Sequence, residues 1–189
     1  GGPMIEGINQ EHALKALQTT RNPVERYIRL QVLGMDPTQF RKADARRQFN
    51  AFYRVRRGPS WQDRFFGLLE NESAALSASP PTSSDFLRVL DKLFELTGRW
   101  EASFASKLVA TANGMAPVID SIVAKNIGRR VPLSSEKGYR ANIHELYDEI
   151  SRVLSAGVAS PRGHEWTERF DAAFGHLPNI EVVVALGRI

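Results

Sequence analysis

The sequence predicts an all-α fold, a helical bundle that forms one domain or two small lobes. Over most of the 189 residues, apolar side chains recur at the three- and four-residue spacing that places them on one face of a helix. Glycine and proline separate these segments, as expected where helices end. One stretch near the C-terminus, IEVVVALG, is rich in β-branched residues and predicts a short strand near 182–184 or an extended tail.

Four helices are predicted in the N-terminal third. EHALKALQ is short and amphipathic. The next helix begins at the Asn-Pro step of residues 22–23, because asparagine is a favourable cap and proline a favourable first residue, and it is expected to end at Gly34. ADARRQFNAFYRVRR follows and runs to Arg57, before a Gly-Pro break. Ser60 is expected to cap the fourth helix, WQDRFFGLLEN.

Five more helices are predicted in the rest of the chain. SSDFLRVLDKLFELTG has a cap at Ser84 and a terminating glycine at Gly98. Two helices then flank the break NGMAP, and the second of them ends at Gly128. The long amphipathic SSEKGYRANIHELYDEISRVLSAG and the aromatic-rich SPRGHEWTERFDAAFGHL complete the series.

One low-complexity segment, ESAALSASPPTSS, divides the chain. Its serine, alanine and proline content predicts a flexible connector over residues 73–82. The connector separates an N-terminal lobe with a basic helix, 4–72, from a C-terminal lobe, 83–189. The two lobes are expected to share one domain. Residues 1–3, Gly-Gly-Pro, look like a cloning scar.

The composition argues against several classes of protein. Without cysteine, the chain has no disulfide framework, iron–sulfur cluster, thiol nucleophile or zinc–thiolate site. No apolar run approaches the roughly 18 residues that span a bilayer, and no signal-peptide pattern is present, so a cytoplasmic protein without membrane contact is expected. The histidines are scattered, so no metal or other cofactor is predicted; they are His12, His144, His164 and His176.

Basic residues are concentrated between positions 41 and 57. The whole chain carries a formal charge of only +4, but this stretch holds a single acid, Asp44. Such a concentration is typical of proteins that bind nucleic acid phosphates. The alternative is a solvated helix face whose acidic partners come from elsewhere in the fold. The basic residues are Arg41, Lys42, Arg46, Arg47, Arg54, Arg56 and Arg57.

The segment MAPVIDSIVAKNIG places an acid on an otherwise apolar helix. Asp120 is expected in the first turn, where the helix dipole stabilises a carboxylate. Lys107 lies just upstream, close enough in sequence for its amine to reach back toward Asp120. Two interpretations remain open at this point: a helix cap with a solvated lysine, or a working pair of an active site.

The same segment resembles the one that follows the hairpin in helix-hairpin-helix DNA glycosylases. There, Pro-Val-Asp opens a helix and its aspartate is the catalytic acid, a role that the resemblance gives to Asp120. FASKLVATA resembles the second hairpin helix, which in bifunctional members begins with a Gly-x-Lys step whose lysine attacks the sugar C1′. The resemblance gives that role to Lys107. The resemblance is strongest to divergent bacterial proteins similar to 8-oxoguanine DNA glycosylase. The stretches FNAFYRVRR and RFDAAF also look like segments of that group.

The resemblance covers residues 86–174 well and the N-terminal third loosely. Two features depart from the family pattern. The Leu-Pro-Gly-Val-Gly hairpin, whose amides bind a DNA phosphate in the family, is absent, because GRWEASFAS has no glycine after Gly98. The PVID step is one residue longer than Pro-Val-Asp, and the helix between lysine and aspartate is shorter than usual.

The resemblance implies a base-excision DNA glycosylase with lyase activity that acts on a modified base in double-stranded DNA. The basic stretch would hold phosphates, and four aromatic residues, Phe52, Tyr53, Trp61 and Trp100, are candidates for a pocket or wedge that receives the extruded base. Two alternatives stay open. One is a DNA-binding relative that has lost catalysis, and the other is a helical interaction protein of a bacterial defence system.

Overall fold

The computed structural model describes residues 21–165 and residue 168, and the regular structure in this part of the chain is entirely helical. This confirms the all-α prediction for the described residues. The predicted helix EHALKALQ, most of the helix predicted over 160–177 and the strand near 182–184 lie outside them. The elements are α1 (Arg21–Met35), a 3₁₀ helix (Pro37–Arg41), α2 (Ala43–Tyr53), α3 (Pro59–Ser77), α4 (Ser83–Thr97), α5 (Ala102–Ala112), α6 (Ser121–Asn126) and α7 (Tyr139–Ala159).

Helix α5 is the centre of the bundle. It packs against α1, α3 and α4. Most of its residues are buried, and many of them are small, so neighbouring helices approach closely. One continuous hydrophobic core surrounds α5 and contains residues from both predicted lobes. Its members include Phe49, Phe65, Leu69, Phe86, Leu90, Leu108, Ile143 and Tyr147. Complete burial of each such side chain contributes roughly 1.5–3 kcal/mol to folding.

Several helix boundaries differ from the sequence prediction. α2 ends at Tyr53, not at Arg57, because Arg54 adopts the left-handed conformation with φ 53°. α3 begins two residues earlier than predicted, with Gly58 as its cap in place of Ser60. It then continues to Ser77, so the first half of the predicted connector is helical and only residues 78–82 join α3 to α4.

The ends of α4 are fixed by local hydrogen bonds. Thr82 caps the helix, not the predicted Ser84, because the Thr82 hydroxyl accepts from the Asp85 amide while the Asp85 carboxylate accepts from the Thr82 amide. Gly98 ends the helix at φ 72°, as predicted. Residues 98–101 then form the short turn that leads into α5. None of the helices within the described ranges is long and apolar enough to cross a membrane.

Gly34 marks the closest approach between α1 and α5. α1 does not end at Gly34 as predicted but continues to Met35. A Cβ atom added at Gly34 would lie 2.0 Å from the carbonyl oxygen of Thr111. One turn earlier, the side-chain amide of Gln31 donates to the Ala110 carbonyl at 3.5 Å. The glycine is therefore required by helix–helix distance, and its backbone conformation is ordinary.

Gly34→Ala should destabilise the protein by about 1–3 kcal/mol, because the methyl group meets backbone that cannot move aside. Gly67→Ala is the matched control, since Gly67 also lies within a helix and an added Cβ meets nothing within 4 Å. It should raise the free energy of unfolding by about 0.5–1 kcal/mol through helix propensity. Urea denaturation of both variants measures the difference, and equal effects at the two positions would contradict the close approach.

Candidate active site

A buried hydrogen bond brings the chain next to Lys107 against the chain next to Asp120. Ser106 on α5 is completely buried, and its hydroxyl accepts a hydrogen bond from the Ile119 amide at 2.9 Å. The same hydroxyl donates to the Ser103 carbonyl at 2.8 Å. Ser106 precedes Lys107, and Ile119 precedes Asp120. This bond therefore holds the backbone before Asp120 against the helix turn that carries Lys107.

A second polar anchor shapes the loop that carries Asp120. Asn113 ends α5 and is buried, and its amide nitrogen donates to the carbonyls of Leu76 and Ser79, at 3.0 Å each. Its side-chain oxygen accepts from the Met115 amide at 3.2 Å. These bonds fix the start of the loop against the end of α3. The loop therefore reaches Asp120 from a defined position.

Asp120 is the N-cap of α6, as in the interpretation of a helix cap. It is not a residue of the first turn, where the sequence pattern placed it. Its backbone is extended, and its Oδ1 accepts a hydrogen bond from the Val123 amide at 2.8 Å. Capping of this kind stabilises a helix by about 1 kcal/mol. The cap occupies one carboxylate oxygen, and no hydrogen bond from a described residue reaches Oδ2.

Lys107 is not the solvated side chain that the interpretation of a helix cap with a solvated lysine required. It is the sixth residue of α5. In the family that the segment resembles, the lysine lies at the start of the helix instead. The side chain is only partly exposed, and Nζ lies 5.3 Å from the centroid of the Tyr53 ring and 5.0 Å from that of the Phe104 ring. Among the described residues, no carboxylate comes within 4 Å of the amine. Burial lowers the Lys107 pKa, and the charge of Asp120 opposes that change less strongly.

A second cation, Arg57, also lies over the Phe104 ring. The Arg57 guanidinium lies 5.3 Å from the Phe104 centroid and 5.5 Å from that of Trp61. Arg57 pairs with the buried carboxylate of Glu101 at 2.7 Å, and the Trp61 indole donates to the same carboxylate at 2.8 Å. These side chains form one group, called here the Phe104 cluster: Tyr53, Arg57, Trp61, Glu101, Phe104 and Lys107.

Two of the four predicted pocket residues belong to this cluster. Tyr53 and Trp61 contact it directly, and burial raises the pKa of the Tyr53 phenol, which therefore stays neutral. Phe52 packs against Tyr53 instead, with ring centroids 4.9 Å apart. Trp100 stacks on Phe94 at 4.3 Å, beside a cleft of about 400 Å³ that Arg57 and Glu101 also line.

The predicted phosphate-binding residues do not form one free basic face. The structure pairs four of them with carboxylates. Three of these acids come from elsewhere in the fold, as in the alternative of a solvated face: Arg41 pairs with Glu70, Arg46 with Asp63 and Arg57 with Glu101. Arg47 pairs with Asp44, the acid within the stretch itself. Lys42 donates to Gln39 at 3.2 Å. Arg54 and Arg56 are exposed and form no ion pair within the described part of the chain. Both are next to cluster residues in the sequence, since Arg54 follows Tyr53 and Arg56 precedes Arg57.

Sequence reasoning missed four residues that build the site. Glu101, Phe104, Ser106 and Asn113 are buried or half-buried, and their types are common in turns and helices. The one available signal was the Ser-Lys step, since a serine on the buried face of a helix needs a hydrogen-bond partner. Its partner, a backbone amide 13 residues away, leaves no trace in the sequence.

Comparison of the chain with protein-family models, with curated proteins and with solved structures finds no match. The resemblance to helix-hairpin-helix DNA glycosylases therefore stays a prediction.

Ser106→Ala should destabilise the protein by about 1–3 kcal/mol, because the buried Ile119 amide loses its partner. Ser103→Ala, on the same helix, removes a hydroxyl that is not part of this link and should change the free energy of unfolding by less than about 0.5 kcal/mol. Denaturant unfolding compares the two. If the Ser106 variant is as stable as the Ser103 variant, the hydrogen bond does not hold the two segments together.

Proposed function

We propose that this protein binds double-stranded DNA and excises a modified base, with Lys107 as the nucleophile and Asp120 as the electrostatic catalyst. One observation carries the proposal. A lysine amine lies partly buried against two aromatic rings, without a carboxylate partner among the described residues, and a buried hydrogen bond ties its segment to that of Asp120. A lysine that served solubility alone would extend into water.

The chemistry of base excision uses both side chains. As the N-glycosidic bond breaks, positive charge develops on the deoxyribose ring, and a nearby carboxylate stabilises it. Oδ1 of Asp120 caps α6, which leaves Oδ2 to face such a charge. The lone pair of a neutral Lys107 amine can bond to C1′ as the base leaves with the bonding electrons. Opening of the sugar ring then gives a Schiff base between Lys107 and C1′.

The environment of Lys107 suits this role, because only the neutral amine is a nucleophile. Desolvation disfavours the ammonium form and lowers the Lys107 pKa. The ring faces of Tyr53 and Phe104 hold the ammonium form in place by cation–π attraction. The rings therefore hold the ammonium form beside the site, and burial gives a larger neutral fraction at a given pH than an exposed lysine has.

A non-catalytic DNA-binding or interaction protein is the second candidate. The Asp120 cap favours it, since an aspartate at this position stabilises α6 without any chemistry. The ion pairs of four predicted phosphate-binding arginines favour the interaction protein in particular. In that case Arg57 and Glu101 serve only to hold α5 against the start of α3.

Borohydride trapping on duplexes that contain modified bases distinguishes these candidates. The parent chain should form a covalent adduct with at least one substrate, because borohydride reduces a Schiff base to a stable secondary amine. Lys107→Ala should form none. Asp120→Asn should reduce the rate of adduct formation by at least about 100-fold, the range seen on removal of one electrostatic group.

The Asp120 variants separate the cap from the charge. Asparagine is as good an N-cap as aspartate, so Asp120→Asn should keep the stability of the parent, whereas Asp120→Ala should lose about 1 kcal/mol. A chain that yields no adduct on any substrate, while its Asp120 variants follow this order of stability, would leave Asp120 as a cap alone and favour the second candidate.

DNA affinity should depend mainly on the unpaired arginines. Arg54→Ala with Arg56→Ala should weaken duplex binding and reduce the slope of log affinity against log salt by up to about 2, because each phosphate contact releases about one counterion. Arg41→Ala with Arg47→Ala removes the same charge from exposed ion pairs and should have a smaller effect. Fluorescence anisotropy from 50 to 200 mM salt measures both. An equal loss in the two double variants places the DNA surface elsewhere.

A further inference from the structure

Glu101 is a buried carboxylate whose charge faces a cation. Its side chain is 4% exposed, which is costly for an ionised group without compensation. The Trp61 indole donates to Oε2 at 2.8 Å. Arg57 Nη2 lies 2.7 Å from Oε1, but its N–H is not aligned with that oxygen, which accepts no hydrogen bond from the described residues. The attraction between Arg57 and Glu101 is therefore mainly one of charge.

Arg57 and Lys107 share an aromatic ring. The Arg57 guanidinium lies 5.3 Å and the Lys107 amine 5.0 Å from the Phe104 centroid, so the two cations are separated by no more than about twice that distance. At such a separation, within a partly buried cluster, an uncompensated charge on Arg57 would act on Lys107. Glu101 supplies the compensating charge.

We propose that Glu101 is a positioning residue that governs the protonation of the Lys107 amine from a distance, by neutralising Arg57 across the Phe104 ring. Glu101 does not touch the amine. It acts through Arg57, which it also holds against Trp61 and Phe104. The consequence for base excision rests on the proposed function, whereas the electrostatic link itself belongs to the folded chain.

Other titratable groups also lie around the amine. Asp120, on the loop before α6, attracts the ammonium form. Tyr53 comes from α2, with Tyr27 of α1 behind it, and burial raises the pKa of both phenols, which stay neutral over the ordinary range of pH. Beside the charge of Asp120, the charges that the proposed link brings to bear on Lys107 are those of Arg57 and Glu101.

The test reads the Lys107 amine directly. Trace acetylation of the full chain over a range of pH, followed by proteolysis and mass spectrometry, gives the pH at which the amine is half deprotonated. Glu101→Gln leaves Arg57 uncompensated and should lower this midpoint by about 0.3–1 pH unit, as expected for one charge at this range. Arg57→Gln leaves Glu101 uncompensated and should raise it by a similar amount. The double variant should return it close to the parent value.

Two controls keep the outcome interpretable. Arg57→Lys retains the charge and should keep the midpoint, and Arg47→Gln removes a cation from an exposed ion pair outside the cluster and should leave it unchanged. Opposite shifts in the two single variants support the proposal. Shifts of the same sign, as loosened packing would cause, or no shift in either, overturn it. If Glu101→Gln does not fold, the comparison of Arg57→Gln with Arg57→Lys tests the proposal alone: the midpoint should rise in the first variant and stay unchanged in the second.

The test needs no DNA, so its result is independent of base excision. Correct shifts together with a failure of borohydride trapping would count against the proposed function and leave the role of Glu101 intact. Adduct formation without the predicted shifts would support the proposed function and count against the role of Glu101.

Discussion

The hydrogen bond between the Ile119 amide and the Ser106 hydroxyl joins the two halves of the site. It is completely buried, so water cannot replace either partner. Ser106 can accept it only because α5 is the central helix, packed on several sides by its neighbours. Gly34 and the other small residues at these contacts permit that packing. The spacing of Lys107 and Asp120 thus depends on the whole bundle, through one polar contact in its core.

The charges of the site are graded by burial. Glu101 is enclosed, Arg57 and Lys107 are half-buried against aromatic rings, and Arg54 and Arg56 are exposed. Interactions between charges strengthen as water is excluded, so the enclosed pair and the half-buried amine influence each other more than the surface arginines do. The exposed arginines can exchange solvent counterions for a polyanion without disturbing this inner arrangement.

Sequence patterns predicted what depends on local chemistry. The helical class and the end of α4 at Gly98 follow from periodicity and glycine placement. The patterns failed where a distant residue decides. Nothing near Arg57 shows that Glu101 will neutralise it, and nothing near Arg54 shows that α2 ends there, since arginine is rarely left-handed. Ion-pair partners 17 to 44 residues away in sequence are set by tertiary packing alone.

The two interpretations of Asp120 are compatible in physical terms. A cap needs one oxygen that accepts the Val123 amide, and serine or asparagine would provide it equally well. What aspartate adds is negative charge, and that charge acts on Lys107, where it opposes the effect of burial. The cap holds the carboxylate in a fixed orientation, so the second oxygen needs no reorganisation to face a developing cation. Under the proposed function, capping therefore contributes to the preorganisation that electrostatic catalysis requires. The stability of α6 and the proposed chemistry of the pair thus depend on the same side chain.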